Sequence, residues 1–322
     1  MAVTSGTPVA GTLYFYAMNP TAPSGPALPG ALPSYRRTRI APTPSGYLHL
    51  GNVLSFCLTV ALARRTGASV LLRIDDGDTL RAQPAYLQDI FETLRFLDLP
   101  WDEGPKDVLH FTRQFSQVHR AGRYTEALEW LEKKGHLFAC TCSRTDILRV
   151  SPDGSYPGTC RNKGLPMDTP GAAWRLRTKD QPITVHHWDG RTTTEKLPAS
   201  VQEVVVRKKD GLPAYQLSSV VDDLFYGVDL IVRGEDLWPS TLLQLQLATL
   251  LPANPFPETA FYHHGLLRGK DGEKLSKSAG AGSVQHLRQL GWTAEAVFRH
   301  LSGWLQVEPA TTWSGLAARC GC

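Results

Sequence analysis

The stretch RIAPTPSGYLHLGN, residues 39–52, sets two prolines, two glycines and a histidine between a short apolar run and a long one. A glycine-rich turn feeding a helix exposes backbone N–H groups at the positive end of the helix dipole, which together make an anion site. Pro42 and Pro44 would hold the approach rigid, and Gly46 and Gly51 would let a nucleotide come close to the backbone. His49 would then present its ring to the phosphates. Taken alone, the stretch reads equally well as a plain strand-to-helix connection with a satisfied histidine.

Working outward, RTRIAP before the turn is a short strand, and NVLSFCLTVALARRTG after it is a helix with a basic last turn ended by Gly67. ASVLLRIDD follows as a strand with few polar interruptions, the pattern of a strand covered on both faces. Strand, loop, helix and strand make a βαβ unit, so an α/β fold with a doubly wound parallel sheet is expected. Leu87, Ile90, Phe91, Leu94 and Leu97 keep helical spacing behind Pro84, and Leu128 and Leu131 mark another helix closed by EKKGH. QEVVVRKKDGLPAYQL reads as a strand meeting a Lys-Asp-Gly turn, and TLLQLQLATLLP as a helix stopped by Pro252.

The 322 residues carry 42% hydrophobic and 20% charged residues, the balance of a folded globular chain rather than a disordered or fibrous one. A net charge of +4 permits a polyanionic partner without requiring one. No apolar run reaches the length of a membrane span, so no membrane partner and a cytoplasmic location are expected. Residues 1–34, rich in Ala, Gly, Pro, Ser and Thr, read as a disordered tail in which Met18 offers an alternative start.

A second element bears on the opening turn. GKDGEKLSKSAG, residues 269–280, places Lys270, Lys274 and Lys277 in a glycine-flanked loop. Alone it is a solvated lysine-rich surface; paired with the histidine turn it supplies point charges for phosphate.

HLGN and KLSKS resemble the two signature motifs of class I aminoacyl-tRNA synthetases. With RIAPTPSGYLHLG, LLRIDDGD and AYQLSSVVDDLFYGVDLIVRGEDL in the same order, residues 39–278 are similar to the glutamyl/glutaminyl branch. Only 44 residues follow Ser278, where full synthetases continue into an anticodon-reading half. With the cysteine cluster, that shortness resembles the glutamyl-queuosine tRNA-Asp synthetase family, which loads glutamate onto a modified anticodon base. The resemblance implies a class I Rossmann-like catalytic domain in two halves, 35–139 and 201–280, with an insertion at 140–200. A helical segment at 281–322 and no anticodon-binding domain complete the expectation.

Cys140, Cys142 and Cys160 suit zinc but leave a closed tetrahedral site one ligand short. The resemblance supplies Tyr156 as the fourth, in a structural role; three free reduced thiols are the alternative. It also implies that Arg39, Ala41, Thr43, Asp75, Tyr215 and Arg233 surround the amino acid. Asp75 would take the α-amino group, and Arg39 and Arg233 would pair with the two carboxylates of glutamate. Thr43 and Asp75 depart from the Ser and Glu usual in glutamate-specific relatives, Asp75 being the glutaminyl choice; Arg233 still argues for glutamate. His49, Gly51, Asn52 and Lys277 would hold ATP, with His49, Lys274 and Lys277 catalytic and Mg2+ arriving with the nucleotide. DDGD at 75–78 is a capping turn or a magnesium site.

The implied activity is ATP-dependent formation of glutamyl-adenylate and transfer of glutamate to queuosine of tRNA-Asp by a monomer. The alternatives are charging of the 3′ end of tRNA-Glu and an inactive tRNA-binding paralogue.

Overall fold

Strand β1 (Arg37–Ile40) pairs in parallel with β2 (Ser69–Leu72), and helix α1 (Leu50–Thr66) crosses between them. This is the βαβ unit read from the sequence. Helix α1 buries residues all round its circumference, from Leu50 and Val53 to Leu62 and Ala63, as a helix without a polar face must. It ends where Gly67 takes the left-handed conformation at φ 78°, with Arg64 and Arg65 on the negative end of the dipole. The computed structural model describes residues 32–78, 81–267 and 282–322, so the expected tail lies outside the described residues except for its last three positions.

A further set of strands runs β8 (Leu230–Gly234), β9 (Ala260–His264) and β5 (Ile183–His187) in parallel, with β6 (Thr192–Glu195) antiparallel on the edge of β5. Strands β1 and β8 lie side by side, and Asp229 N–H donates to the Arg37 carbonyl at 3.1 Å. Two cores form on the opposite faces. Leu230, Val232 and Ala260 join Ile40, Val70, Leu72 and α1 on one side. Ile231 and Phe261 turn to the other, against Leu217 and Val220 of α5 (Tyr215–Tyr226) and Leu243 and Leu247 of α6 (Trp238–Leu250). The alternation along β8 and β9 is the period of two that a sheet buried on both faces imposes, so the doubly wound expectation holds.

The remaining helices are α2 (Pro84–Phe96), α3 (Ala121–Lys133) and α4 (Arg144–Val150), followed after β9 by α7 (Val284–Gln289), α8 (Ala294–Leu305) and α9 (Trp313–Arg319). Val284, Leu287, Val297, Phe298, Leu301 and Leu316 close the first core over α1, which is what the C-terminal helical segment does. Among the described residues no helix is long and apolar enough to cross a membrane.

Residues 140–200, expected as one inserted module, divide between two sheets. An antiparallel sheet runs β3 (Leu137–Cys140), β4 (Ala173–Leu176), β7 (Val205–Arg207), so it begins before that span and ends after it. Between β4 and β7 the chain leaves it, and β5 joins the parallel sheet beside β9, burying Ile183 and Val185 in the second core. That excursion rests on pairing between strands more than seventy positions apart, which local composition does not reveal.

Candidate active site

A cleft of about 440 Å³ opens at the carboxyl ends of β1, β2, β8 and β9, the place where open α/β sheets take their ligands. Arg39, Ala41, Thr43, His49, Gly51, Asn52, Asp75, Tyr215 and Arg233 all line it, so the amino-acid set and the nucleotide turn meet in one space. Lys274 and Lys277 lie outside the described residues. The chain on either side of their segment nevertheless borders the cleft. Leu267 lines it, and Val284 N–H donates to the Leu48 carbonyl at 2.8 Å, one position before His49.

The histidine turn is built as a helix cap. His49 takes an extended conformation as N-cap of α1, its Nδ1 accepts from Gly51 N–H at 3.1 Å, and Asn52 Oδ1 accepts from His49 N–H at 3.0 Å. A neutral ring that accepts at Nδ1 carries its proton on Nε2, which makes that nitrogen a donor. A Cβ at position 51 would sit 3.0 Å from His49 Cε1, so glycine keeps the ring in place. Alongside, Pro42 O accepts from Asp75 N–H at 3.0 Å, fastening the proline loop to the end of β2.

Beneath the cleft lies a buried charge network that sequence reading only half found. Arg73 pairs with both oxygens of Asp75 at 2.8 and 3.0 Å and reaches Asp223 at 2.7 Å. Arg39 shares that same Asp223 oxygen at 3.1 Å and donates to the Val232 carbonyl. Burial pulls the Arg73 guanidinium down, yet Asp223 and Asp75 hold its pKa well above the ordinary value. Burial pushes the Asp75 carboxyl above the usual range, opposed by Arg73 and reinforced by Asp222. The neighbouring Asp222 accepts from Arg120 at 2.7 Å, Tyr124 at 2.7 Å and Gln117 at 2.8 Å. Of DDGD, Asp75 is held by Arg73, Asp76 accepts from Ser116 and Gln117, and Asp78 pairs with Arg81. Arg73 was legible, standing two positions before Asp75 just past the end of β2; Asp222 and Asp223 interrupt an apolar helix, itself a signal of buried pairing.

Arg233, at the end of β8, is 4% exposed. Its Nη1 donates to Gln244 Oε1 at 2.9 Å, and its guanidinium lies 5.0 Å from the Phe261 ring centre. Its Nε and Nη2 are buried without a partner. Burial, opposed by Tyr215 and Asp223 and reinforced by Arg39, pulls its pKa down to about 10, so it is charged at neutral pH. A buried cation with two unused donors on a cleft wall could receive an anion.

The cysteines form a separate centre on the antiparallel sheet. The sulfurs of Cys140, Cys142 and Cys160 lie within 4.8 Å of one another, and among the described residues this is the one trio of metal-type side chains so arranged. Tetrahedral Zn–S bonds of about 2.3 Å put sulfurs about 3.8 Å apart, and Cys142 and Cys160 are separated by 3.6 Å. The Tyr156 oxygen lies 3.4 Å from Cys140 Sγ and accepts from Cys160 N–H at 2.8 Å; burial and the neighbouring Cys140 push its pKa well above the ordinary tyrosine value, and the Cys160 N–H opposes them. Burial pushes the Cys142 thiol up to about 11. At Cys160 burial acts in the same direction, but the Thr141 N–H and the neighbouring Cys142, Tyr156 and Cys140 outweigh it and bring the thiol to about 7. Three sulfurs gathered at this spacing could hold a metal ion, with the Tyr156 oxygen beside Cys140.

The sequence profile of the tRNA synthetases class I (E and Q) catalytic domain matches residues 36–158 and 168–308. A glutamyl-Q tRNA(Asp) synthetase of Parasynechococcus marenigrum is 38% identical over 274 residues, which cover 85% of this chain and 84% of that one. The glutamyl-Q tRNA(Asp) synthetase of Rhodobacter capsulatus is 35% identical over 83% of this chain and 99% of its own. In fold, the chain is similar to a crystal structure of a glutamate tRNA ligase from Elizabethkingia meningosepticum, with a TM-score of 0.67 at 21% identity over 89% of this chain and 64% of that one. With the matched region holding the whole cleft, this chain belongs to the class I tRNA synthetases of the glutamate and glutamine branch, and within it to the glutamyl-Q tRNA(Asp) synthetases.

Proposed function

We propose that the chain activates L-glutamate with ATP and transfers it to queuosine in the anticodon of tRNA-Asp. The observation that carries the reading is Arg233, which lines the cleft beside Arg39 with two buried donors unpartnered and so calls for a carboxylate on the substrate. Glutamine in that place would leave the guanidinium uncompensated.

In the first step a glutamate α-carboxylate oxygen attacks the α-phosphorus of ATP; the bond to the bridging oxygen breaks and pyrophosphate leaves. In the second, a ring hydroxyl of queuosine attacks the adenylate carbonyl, losing its proton as the ester forms and AMP departs. Asp75 would receive the α-amino group, Tyr215 would flank it, and Ala41 and Thr43 would shape the floor of the pocket. His49 donates from Nε2 to a phosphate oxygen at the positive end of α1, while Gly51 and Asn52, whose N–H groups are taken by His49 Nδ1 and the His49 carbonyl, would let the triphosphate come close to the helix start. Lys274 and Lys277 would neutralise charge as it builds on the leaving group; both ends of their segment border the cleft, which supports the assignment. Magnesium would add countercharge on the phosphates that carry it in.

Amino-acid-dependent pyrophosphate exchange without tRNA tests the first step: exchange with glutamate is expected, and exchange only with an amino acid outside the glutamate/glutamine pair would overturn it. For the second, tRNA-Asp with queuosine is expected to be esterified and tRNA-Asp lacking it is not. Lys277→Ala should lower the exchange rate by about a hundredfold.

Cys140, Cys142, Cys160 and Tyr156 would hold one structural zinc that staples the antiparallel sheet. The helices of 282–322 pack onto the first core instead of standing apart, which supports RNA contact through the catalytic unit and this stapled sheet. Atomic absorption is expected to find one zinc per chain. Cys160→Ser should lose it and lower the melting midpoint by about 5 °C; a metal-free preparation of unchanged midpoint would refute the staple.

A further inference from the structure

Gln244 is fully buried on α6, and its Oε1 is the acceptor that holds Arg233 Nη1 at 2.9 Å, while its own Nε2 has no hydrogen-bond partner. A neutral amide in that position is costly. The other two arginines of the cleft wall are matched by carboxylates, Arg39 by Asp223 and Arg73 by Asp75 and Asp223. Arg233 has no such partner among the described residues; it is held by the amide on one edge and lies over the Phe261 ring. A glutamate of nearly the same size at position 244 would remove the orphaned amide donor and form a charge-assisted bond to Arg233. The fold forgoes that bond, and what remains is a fixed, uncancelled positive charge with two donors, Nε and Nη2, still unused.

We infer that Gln244 is a positioning residue that determines specificity: it fixes one edge of the Arg233 guanidinium without neutralising it, and so reserves that charge for an anionic amino-acid side chain. The inference rests on glutamate being the amino acid activated. It differs from the assignment of Arg233 itself, because it locates discrimination in the neutrality of the residue behind the cation. A carboxylate at 244 would make the cation indifferent to the substrate's charge, and an apolar isostere would leave the charge but free the guanidinium to rotate.

The test uses the full chain as wild type, Gln244→Glu and Gln244→Met, with glutamate- and glutamine-dependent pyrophosphate exchange and thermal melting with and without glutamate. Gln244→Glu is expected to melt no lower than wild type without substrate, because it completes a buried pair. Its KM for glutamate should rise about a hundredfold while kcat changes by less than about threefold. Its preference for glutamate over glutamine in kcat/KM should fall by about the same hundredfold, and the upward shift of melting produced by glutamate should vanish. Gln244→Met should raise the KM for glutamate about tenfold while still preferring glutamate, the charge being intact. The inference is overturned if Gln244→Glu keeps its glutamate KM and preference within about threefold of wild type, or loses both substrates equally with a lowered melting midpoint. Should Gln244→Glu fail to fold, an unchanged glutamate KM in Gln244→Met overturns it equally. A wild-type chain inactive with glutamate would instead sink the reading of the substrate, which separates the two failures.

Discussion

Asp223→Ala is expected to destabilise the fold by about 3–5 kcal/mol, read as a fall in the urea midpoint at unchanged slope. Asp223 is fully buried, and one of its oxygens accepts from Arg39 at 3.1 Å and from Arg73 at 2.7 Å. Arg39, Arg73, Asp75 and Asp223 sum to zero charge, so deleting one carboxylate strands a positive charge in a place water does not reach. The cost is that of the uncompensated cation more than of the lost bonds. Asp223→Asn keeps an acceptor for Arg39 and removes only the charge, so it should lose less than the alanine variant. Since Arg39 loses its tether to α5 in the alanine variant and keeps only the Val232 carbonyl of β8, glutamate KM should rise in Asp223→Ala, and by less in Asp223→Asn. A midpoint for Asp223→Ala within experimental error of wild type would mean the network is not what holds the cleft floor.

This network marks the boundary of what the sequence disclosed. The unit of β1, α1 and β2 was readable because each signal is local: the nearly unbroken apolar run of the second strand, the basic last turn of the helix, and Gly67 as a left-handed stop. The lateral order of the strands was not, because β1 meets β8 and β5 meets β9 across long separations, and the apolar runs that form them carry no mark of their neighbour. Residues 140–200 show the same limit from the other side, since the composition of the span is uniform while its pairing is split between two sheets.

At the site, the residues that face a ligand were more legible than those that hold them. Proline, glycine and histidine crowded before a helix have few explanations, and the nine cleft residues named from the sequence converge in one cleft. Gln244 gave no such signal: a glutamine within TLLQLQLATLL looks like any polar position on a helix, and only the fold places it behind Arg233. The cysteines fall between, their spacing pointing to a metal while the approach of Tyr156 depends on how the intervening turns fold back.

His49→Asn separates two duties that one side chain performs. As N-cap of α1 the imidazole accepts from Gly51 N–H, a role asparagine fills as well as any residue. As a phosphate ligand it offers an Nε2–H at the end of a longer side chain, and asparagine does not extend that far. His49→Asn should therefore keep stability within about 0.5 kcal/mol of wild type and lower glutamate-dependent exchange by about a hundredfold or more. His49→Ala should lose the same activity and a further ~1 kcal/mol of stability, because the helix start is then left uncapped. The loss should fall on kcat more than on the KM for glutamate, since a donor to the phosphates matters most as charge develops on the departing pyrophosphate. If His49→Asn retained more than about a tenth of wild-type exchange, the ring would be a cap alone, and the anion site at the head of α1 would have to work through backbone N–H groups without it.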